Sequence, residues 1–173
     1  MSYKKHAEHP HLTGEHRWGD LGQLILLVMF LGLWITDSFI FHYSTFLVEV
    51  VSNYIRVPLA GLILLTGWYF ARKGMKAVFG TEREKPEVIQ TGVFAMVRHP
   101  IYLGAILFYL GASLITMSLA SCAFILVILG FYIFICRYEE RILTEAFGDD
   151  YLKYKKKTGM LFPRLRSKQA IIP

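Results

Sequence analysis

Residues Ile101 to Cys136 read IYLGAILFYLGASLITMSLASCAFILVILGFYIFIC and include no Asp, Glu, Lys or Arg. As one helix this stretch would measure about 54 Å, at 1.5 Å per residue, which exceeds the roughly 30 Å hydrocarbon core of a bilayer. We therefore expect it to fold back between Thr116 and Ser121, giving an antiparallel hairpin of two membrane-spanning helices. Pro100, directly before it, suits the first turn of a helix, where its missing N–H is not needed.

Two further charge-free runs precede this hairpin and predict two more spans. They are Leu21 to Thr36, which continues toward Phe41, and Val57 to Ala71. Together the four runs predict an all-α, polytopic integral membrane helix bundle. The segment Phe39 to Val51 is apolar but contains a His and a Glu, so both an interfacial helix and a fifth span are open for it.

The composition also favours a membrane protein over a water-soluble one. Hydrophobic residues make up 54% of the chain and charged residues 18%, against roughly 25% charged residues in soluble domains. The length of 173 residues suits a single domain, here a membrane domain over the whole of 1–173. The high apolar content and the presence of only two cysteines exclude a disordered chain and a disulfide scaffold.

The basic residues predict the orientation, because loops rich in Lys and Arg stay in the cytoplasm. Of the 19 Lys and Arg residues, all except Arg56 fall in the N-terminal segment 1–20, the loop 72–100 or the C-terminal segment 137–173. Both termini are therefore expected in the cytoplasm, with the transmembrane bundle over 21–136. The first twenty residues lack the apolar core of a signal peptide, so we expect them to be retained. The net charge of +6 follows from topology, and we predict no nucleic-acid partner.

Two polar patches flank the hairpin, which would bring them together on the cytoplasmic face. The first is Arg98-His99 before Pro100, where the free N–H groups of a helix start could hold an anionic group. The second is Arg137-Tyr138-Glu139-Glu140-Arg141, and carboxylates so close to the hydrocarbon are costly unless paired or used. Both patches also allow a structural interpretation, the first as a membrane-interface anchor and the second as a charge cluster paired within one helix.

A C-terminal amphipathic segment follows the second patch. Leu143, Phe147, Tyr151 and Tyr154 recur at spacings of four, four and three, which is typical of a helix with one apolar face. Gly148 interrupts this pattern.

The sequence predicts no metal site. Cys122 and Cys136 lie inside apolar runs, where a cysteine is usually a small buried hydrophobe. The four histidines of the first twenty residues have no cysteine or carboxylate frame around them. Phosphate-binding loops, dinucleotide-binding glycine motifs and the common hydrolase motifs are also missing from the sequence.

The order of the motifs resembles the isoprenylcysteine carboxyl methyltransferase family, whose superfamily includes the phospholipid methyltransferases. The resemblance consists of Val97-Arg98-His99-Pro100-Ile101-Tyr102-Leu103-Gly104, an apolar hairpin, Glu139-Glu140, and Phe147-Gly148-x-x-Tyr151-x-x-Tyr154. It covers about residues 88–163, and the first spans show no such match.

The resemblance implies an integral membrane enzyme that takes a methyl group from S-adenosyl-L-methionine on its cytoplasmic face and leaves S-adenosyl-L-homocysteine. It implies catalytic roles for Arg137, Arg98 and Glu140, with the arginines facing a lipophilic or small-molecule acceptor that arrives from the lipid bilayer. Two positions depart from the family: Phe94 stands where a Tyr is common, and Pro86 where a His is frequent. The implied cofactor contacts are Ile89, Phe94, His99, Pro100, Ile101, Tyr102, Glu139 and Glu140.

The main interpretation is carboxyl O-methylation of a substrate similar to an isoprenylcysteine, with a phospholipid or a small thiol as alternative acceptors. Membrane sterol reductases, which use NADPH, also resemble the sequence around Arg98 to Tyr102. A non-enzymatic membrane subunit, with both polar patches as anchors, is the third hypothesis.

Overall fold

A computed structural model describes residues 19–80 and 87–164 of the chain. Within these residues the protein is helical, with no strand, as the prediction of an all-α bundle requires. The four α-helices are α1 (Gly19–Ile35), α2 (Asn53–Phe79), α3 (Pro100–Thr116) and α4 (Leu119–Lys157).

The helices have the length and composition of membrane spans. Three of them are long and apolar enough to cross a bilayer, counting α1 together with its π-helical continuation Thr36–Phe41. The fourth, α3, is apolar and has 17 residues, about 26 Å, at the lower limit for a span. At 39 residues, or about 58 Å, α4 must extend beyond the bilayer, so we place its part after Cys136 outside the hydrocarbon.

The predicted hairpin turn is confirmed at Met117 and Ser118. Met117 adopts a left-handed conformation with φ of 52° and ends α3. Ser118 begins α4 as its N-cap, because its hydroxyl oxygen accepts a hydrogen bond of 3.1 Å from the backbone N–H of Ser121. Between the π-helical end of α1 at Phe41 and the start of α2, the one helical element of the described chain is a short 3-10 turn, Phe46–Val48, so the hypothesis of a fifth span there is wrong.

Glycines bring α2 and α3 into backbone contact. A Cβ atom added at Gly104 would lie 2.7 Å from the carbonyl oxygen of Gly67 and 2.8 Å from the Cβ of Ala71. One added at Gly111 would lie 2.6 Å from Cγ of Leu64. Such close approach provides the van der Waals contact that holds helices together in lipid, where no hydrophobic driving force acts between them.

A buried carboxylate fastens the end of α1 to the hairpin turn. The Asp37 carboxylate accepts hydrogen bonds from the Ser44 backbone N–H at 2.9 Å and from the hydroxyls of Ser44 and Ser118 at 2.5 Å each. The Ser44 hydroxyl oxygen in turn accepts from the backbone N–H of Ala120 at 2.9 Å. This network fixes where α1 lies against the start of α4.

Replacing Asp37 with Ala is expected to destabilise the bundle by about 2 kcal/mol, because the hydroxyls of Ser44 and Ser118 lose their acceptor in a buried place. The measurement is the thermal unfolding midpoint in detergent, followed by circular dichroism. Glu49→Ala is the matched control, since Glu49 is an exposed acid in the same connection. Equal midpoints for the two variants would contradict the role given to Asp37.

Candidate active site

The local sequence before α3 determines where the first polar patch lies. A 3-10 turn, Gly92–Ala95, with Gly92 at φ of 61°, leads the chain toward α3. His99 is the N-cap of α3 and Pro100 its first residue, as predicted from the sequence. The His99 side chain is buried and lies where the helix leaves its first N–H groups unpaired.

The helical phase of α4 determines where the second patch lies. Tyr132, Cys136 and Glu140 are four residues apart, and all three side chains are buried on one face of α4. Glu139 lies beside that face and is half-buried. Because this face packs toward the start of α3, both glutamates reach the first patch.

The two patches meet, as the predicted hairpin requires. The Nδ1 atom of His99 lies 3.3 Å from Oε2 of Glu139, and its Nε2 atom lies 3.4 Å from Oε1 of Glu140. The Tyr102 hydroxyl donates a hydrogen bond to Glu139, and the rings of Tyr102 and His99 are stacked. Both glutamates of α4 therefore pair with residues at the start of α3.

Glu140 is the centre of a buried ion-pair cluster. Nε of Arg98 donates a hydrogen bond of 2.8 Å to Oε1 of Glu140, and Nη2 of the same guanidinium lies 2.6 Å from that oxygen. The Lys155 ammonium lies 2.8 Å from Oε2. Burial alone would raise the pKa of Glu140, but the donors His99, Lys155 and Arg98 outweigh burial and lower that pKa to about 2. Glu140 therefore stays a carboxylate at any physiological pH.

His99 is charged by the same neighbours. Burial would lower the pKa of its imidazole, but contacts with Cys136, Glu139 and Glu140 outweigh burial and raise the pKa well above 6.5. The imidazolium is therefore favoured near neutral pH. Two carboxylates and three cations, those of Arg98, Lys155 and His99, make up the cluster.

The C-terminal segment returns to the start of α3. The backbone departs from helical geometry at Gly148, with φ of 53°, so the predicted interruption is confirmed. Beyond α4, the carbonyl of Gly159 accepts a hydrogen bond of 2.8 Å from the Arg98 N–H, and that of Met160 accepts one of 3.1 Å from the His99 N–H. The Tyr154 hydroxyl also donates to the carbonyl of Phe94 at 2.6 Å. These contacts attach the segment to the first patch.

A cavity of about 280 Å³ lies beside His99 and Glu139, and all four helices contribute to it. Six of the eight predicted cofactor contacts line it, namely Phe94, His99, Pro100, Ile101, Tyr102 and Glu139. The remaining lining residues are Asp20, Gln23, Met75, Val78, Phe79, Arg98 and Leu143.

Three predicted site residues lie away from the cavity, and some other positions named from the sequence lie outside the described chain. Glu140 is buried behind the cavity among its ion pairs, and Ile89 is half-buried away from the lining. Arg137 is exposed, on the same side of α4 as the exposed Phe134 and away from the buried face. Pro86 and the N-terminal histidines lie outside the described residues.

Sequence reasoning missed Asp20 and Gln23 of α1, which line the cavity. Both residues are polar and lie at the start of the first span, which the prediction places on the same side of the membrane as the first patch. That position is the signal that could have identified them. In residues 19–80 and 87–164 no group of three His, Cys, Asp or Glu side chains is arranged to hold a metal ion.

Comparison with known proteins fits this arrangement. A family model described as phospholipid methyltransferase matches residues 58–150, which include α3, both polar patches and most of α4. The chain belongs to the phospholipid methyltransferase family. This membership confirms the resemblance drawn from the motifs, and the match extends it back into α2. No solved structure matches the chain.

The chain is also similar to named proteins, which include two kinds of methyltransferase. The chain is 28% identical over 138 residues to protein-S-isoprenylcysteine O-methyltransferase of Saccharomyces cerevisiae, covering 75% of this chain and 58% of that protein. It is 31% identical over 153 residues to methanethiol S-methyltransferase 1 of Bradyrhizobium diazoefficiens, covering 86% and 44%. The Schizosaccharomyces pombe protein-S-isoprenylcysteine O-methyltransferase is 28% identical over 131 residues, covering 70% and 55%. The chain thus spans about half the length of the curated relatives it matches.

Proposed function

We propose that the protein is an integral membrane methyltransferase that moves the methyl group of S-adenosyl-L-methionine to a lipophilic acceptor. The observation that carries the proposal is the meeting of His99, Tyr102 and Glu139 around one cavity. Family membership and the names of the relatives support methyl transfer as the reaction class. The distribution of basic residues supports a cytoplasmic active face.

The residues around the cavity fit this cofactor chemically. Its sulfonium and ammonium groups are cations, and Glu139 offers a carboxylate at the cavity wall. Its own carboxylate requires donors, which the His99 imidazolium and the first N–H groups of α3 provide. Nε2 of His99 is buried 3.4 Å from Oε1 of Glu140 and makes no well-aligned hydrogen bond among the described residues. The aromatic rings of Phe94 and Tyr102 give the apolar lining that small-molecule sites need.

When bound, S-adenosyl-L-methionine supplies an electrophilic methyl group, so the chain has little acid or base chemistry to perform. Its task is to position two reactants and to exclude water. Tyr102 and His99 hold the Glu139 carboxylate in place, and the C-terminal segment covers the start of α3. Glu140 acts as a positioning residue, because it holds Arg98 and Lys155 and contacts His99 from behind.

We propose a carboxylate as the leading acceptor, and the names of two relatives as protein-S-isoprenylcysteine O-methyltransferases support transfer to an oxygen atom. A carboxylate needs no proton removed before it attacks, and the Arg98 guanidinium at the cavity wall supplies positive charge to orient it. The acceptor role of Arg137 stays a prediction, and so does the cofactor contact of Ile89. A small thiol is the second candidate acceptor, favoured by the 31% identical methanethiol S-methyltransferase 1.

Calorimetry of the detergent-solubilised protein tests the reaction class. We expect saturable binding of S-adenosyl-L-methionine and S-adenosyl-L-homocysteine, and the Glu139→Gln variant should bind the former about tenfold more weakly, because a charge-assisted contact is lost. Glu145→Gln, an exposed glutamate further along α4, is the matched control and should bind normally. Binding of NADPH alone would favour the reductase hypothesis, and no binding at all would favour a non-enzymatic subunit.

The acceptor is identified by transfer of a radiolabelled methyl group to a prenylated cysteine, a phospholipid or a small thiol. Alkali releases the label from a methyl ester as methanol but leaves a thioether or an N-methyl group intact. We expect alkali-labile label on the prenylated cysteine. Alkali-stable label on the thiol would favour the second candidate.

A further inference from the structure

A second cavity, of about 510 Å³, lies between the C-terminal segment and the start of α3. Four cationic side chains line it, those of Arg98, Lys155, Lys156 and Arg164. The remaining lining residues are Leu152, Thr158, Gly159 and Met160.

The charges of this cavity are not balanced within the described chain. Glu140 pairs with Arg98 and Lys155, so one carboxylate faces four cations and three positive charges are left over. Among residues 19–80 and 87–164 no Asp or Glu lines the cavity itself. A concave surface with one sign of charge concentrates anions of the opposite sign. The cavity therefore has the electrostatics of an anion site.

The residue types and the location narrow the class of anion. Arginine and lysine together are the side chains that bind phosphate groups, Arg in a fork and Lys as a point charge. Apolar side chains at the cavity, Leu152, and just beyond it, Phe162, are exposed by 41% and 69%. Because the segment is attached at the start of α3, which we assign as a membrane span, we place this exposed apolar surface at the edge of the bilayer.

We propose that this cavity binds the phosphate group of an anionic membrane phospholipid, such as phosphatidylglycerol. The four cations hold the phosphate, and Leu152 and Phe162 contact the beginning of the acyl chains. Free inorganic phosphate can make the same charged contacts, but it has no acyl chain to contact the apolar side chains. The site shares Arg98 with the cavity proposed for the methyl acceptor but is otherwise lined by different residues, and its occupation does not depend on the proposed reaction.

The test is a titration of the full-length protein in a non-ionic detergent, without any methyl donor. Dihexanoyl-phosphatidylglycerol should bind saturably and at least about tenfold more tightly than dihexanoyl-phosphatidylcholine, which carries no net charge. The double variant Lys156→Gln, Arg164→Gln should lose at least about tenfold in affinity for the anionic lipid. Neither residue belongs to the Glu140 cluster, so binding of S-adenosyl-L-methionine should be unchanged in this variant.

The matched control is Lys153→Gln, Lys157→Gln, which removes the same amount of charge from the last turns of α4 at positions that do not line the cavity. It should retain the affinity of the natural sequence, and circular dichroism should report the same fold for both variants. Equal weakening by the two double variants would overturn the proposal in favour of diffuse surface charge. Inorganic phosphate binding as tightly as the anionic lipid would overturn the lipid assignment, and so would equal affinity for the two lipids.

Discussion

Replacing Glu140 with Gln is expected to destabilise the folded protein by about 3–5 kcal/mol, the usual cost of breaking a buried ion pair by removing one partner. The side chain is 2% exposed, and its loss of charge leaves Arg98, Lys155 and His99 without their shared counter-ion. Because Arg98 and His99 also carry the backbone contacts to the C-terminal segment, we expect that segment to detach as well. Affinity for S-adenosyl-L-methionine should then fall together with stability.

Two measurements check this expectation. The thermal unfolding midpoint should fall well below that of the natural sequence, and limited proteolysis should cut after Gly148 at much lower protease concentration. Glu145→Gln is the control, an exposed acid on the same helix whose loss should leave both quantities unchanged. Normal stability of Glu140→Gln would contradict the central role of this carboxylate.

The pH dependence gives an independent check with a fixed sign. The pKa of Glu140 is about 2 in the folded protein and 4.5 ordinarily, so its stabilising contribution is complete above pH 4.5 and is lost as the pH falls through about 2. The difference in unfolding midpoint between the natural sequence and Glu140→Gln should therefore be constant between pH 4.5 and 6.5 and shrink below pH 4.5. Above pH 6.5 it should narrow as His99 loses its proton, because Glu140 contributes to the raised pKa of that imidazole. A difference that does not shrink in acid would show that charge is not the cause.

The second large effect is expected from Gly104→Val. The added Cβ would lie 2.7 Å from the Gly67 carbonyl oxygen, and a backbone atom of Ala71 lies 3.0 Å away, so no flexible side chain is available to move aside. Helices α2 and α3 would have to separate, at a cost of about 3 kcal/mol or more. Since Gly104 lies little more than one turn from the His99 cap, this separation would also displace the cavity wall.

Gly130→Val provides the control for this variant. Gly130 lies in the spanning part of α4, and a Cβ atom there would meet nothing within 4 Å in the described structure. Gly104→Val should therefore show a lower unfolding midpoint and weaker binding of S-adenosyl-L-methionine, while Gly130→Val shows neither. Equal behaviour of the two variants would mean that the contact between α2 and α3 is not required.

Much of the fold follows from the sequence, because charged side chains are costly in hydrocarbon. The absence of charged residues over Ile101 to Cys136 therefore leaves few ways in which this stretch can fold. That stretch is too long for one span, which predicts the turn that Met117 and Ser118 form. The meeting of the two polar patches then follows from the hairpin. The π-helical end of α1 does not follow, because it depends on the long-range hydrogen bonds of Asp37.

The roles of individual charges were harder to predict. The sequence places Arg98, Arg137, Glu139 and Glu140 within reach of one another, but pairing depends on helical phase and burial. The helical phase of α4 directs the Arg137 side chain outward and the Glu140 side chain into the bundle. Arg98 therefore pairs with Glu140. Counting residues by fours from the apolar Tyr132 and Cys136 would have indicated this difference. The position of Asp20 at the start of the first span indicates the side of the membrane on which it lies, but its place in the cavity wall also depends on how α1 is rotated against its neighbours, which no pattern in the sequence fixes.

The attachment of the C-terminal segment depends largely on main-chain groups, namely the carbonyls of Gly159 and Met160 and the N–H groups of Arg98 and His99. Peptide groups are the same whatever side chain they carry, so this junction tolerates sequence drift around it. Gly159 is the exception, because a methyl group there would fall 1.9 Å from the carbonyl oxygen of Phe162. The segment is thus free to diversify in evolution, and with it the surface that it presents, while its docking stays the same.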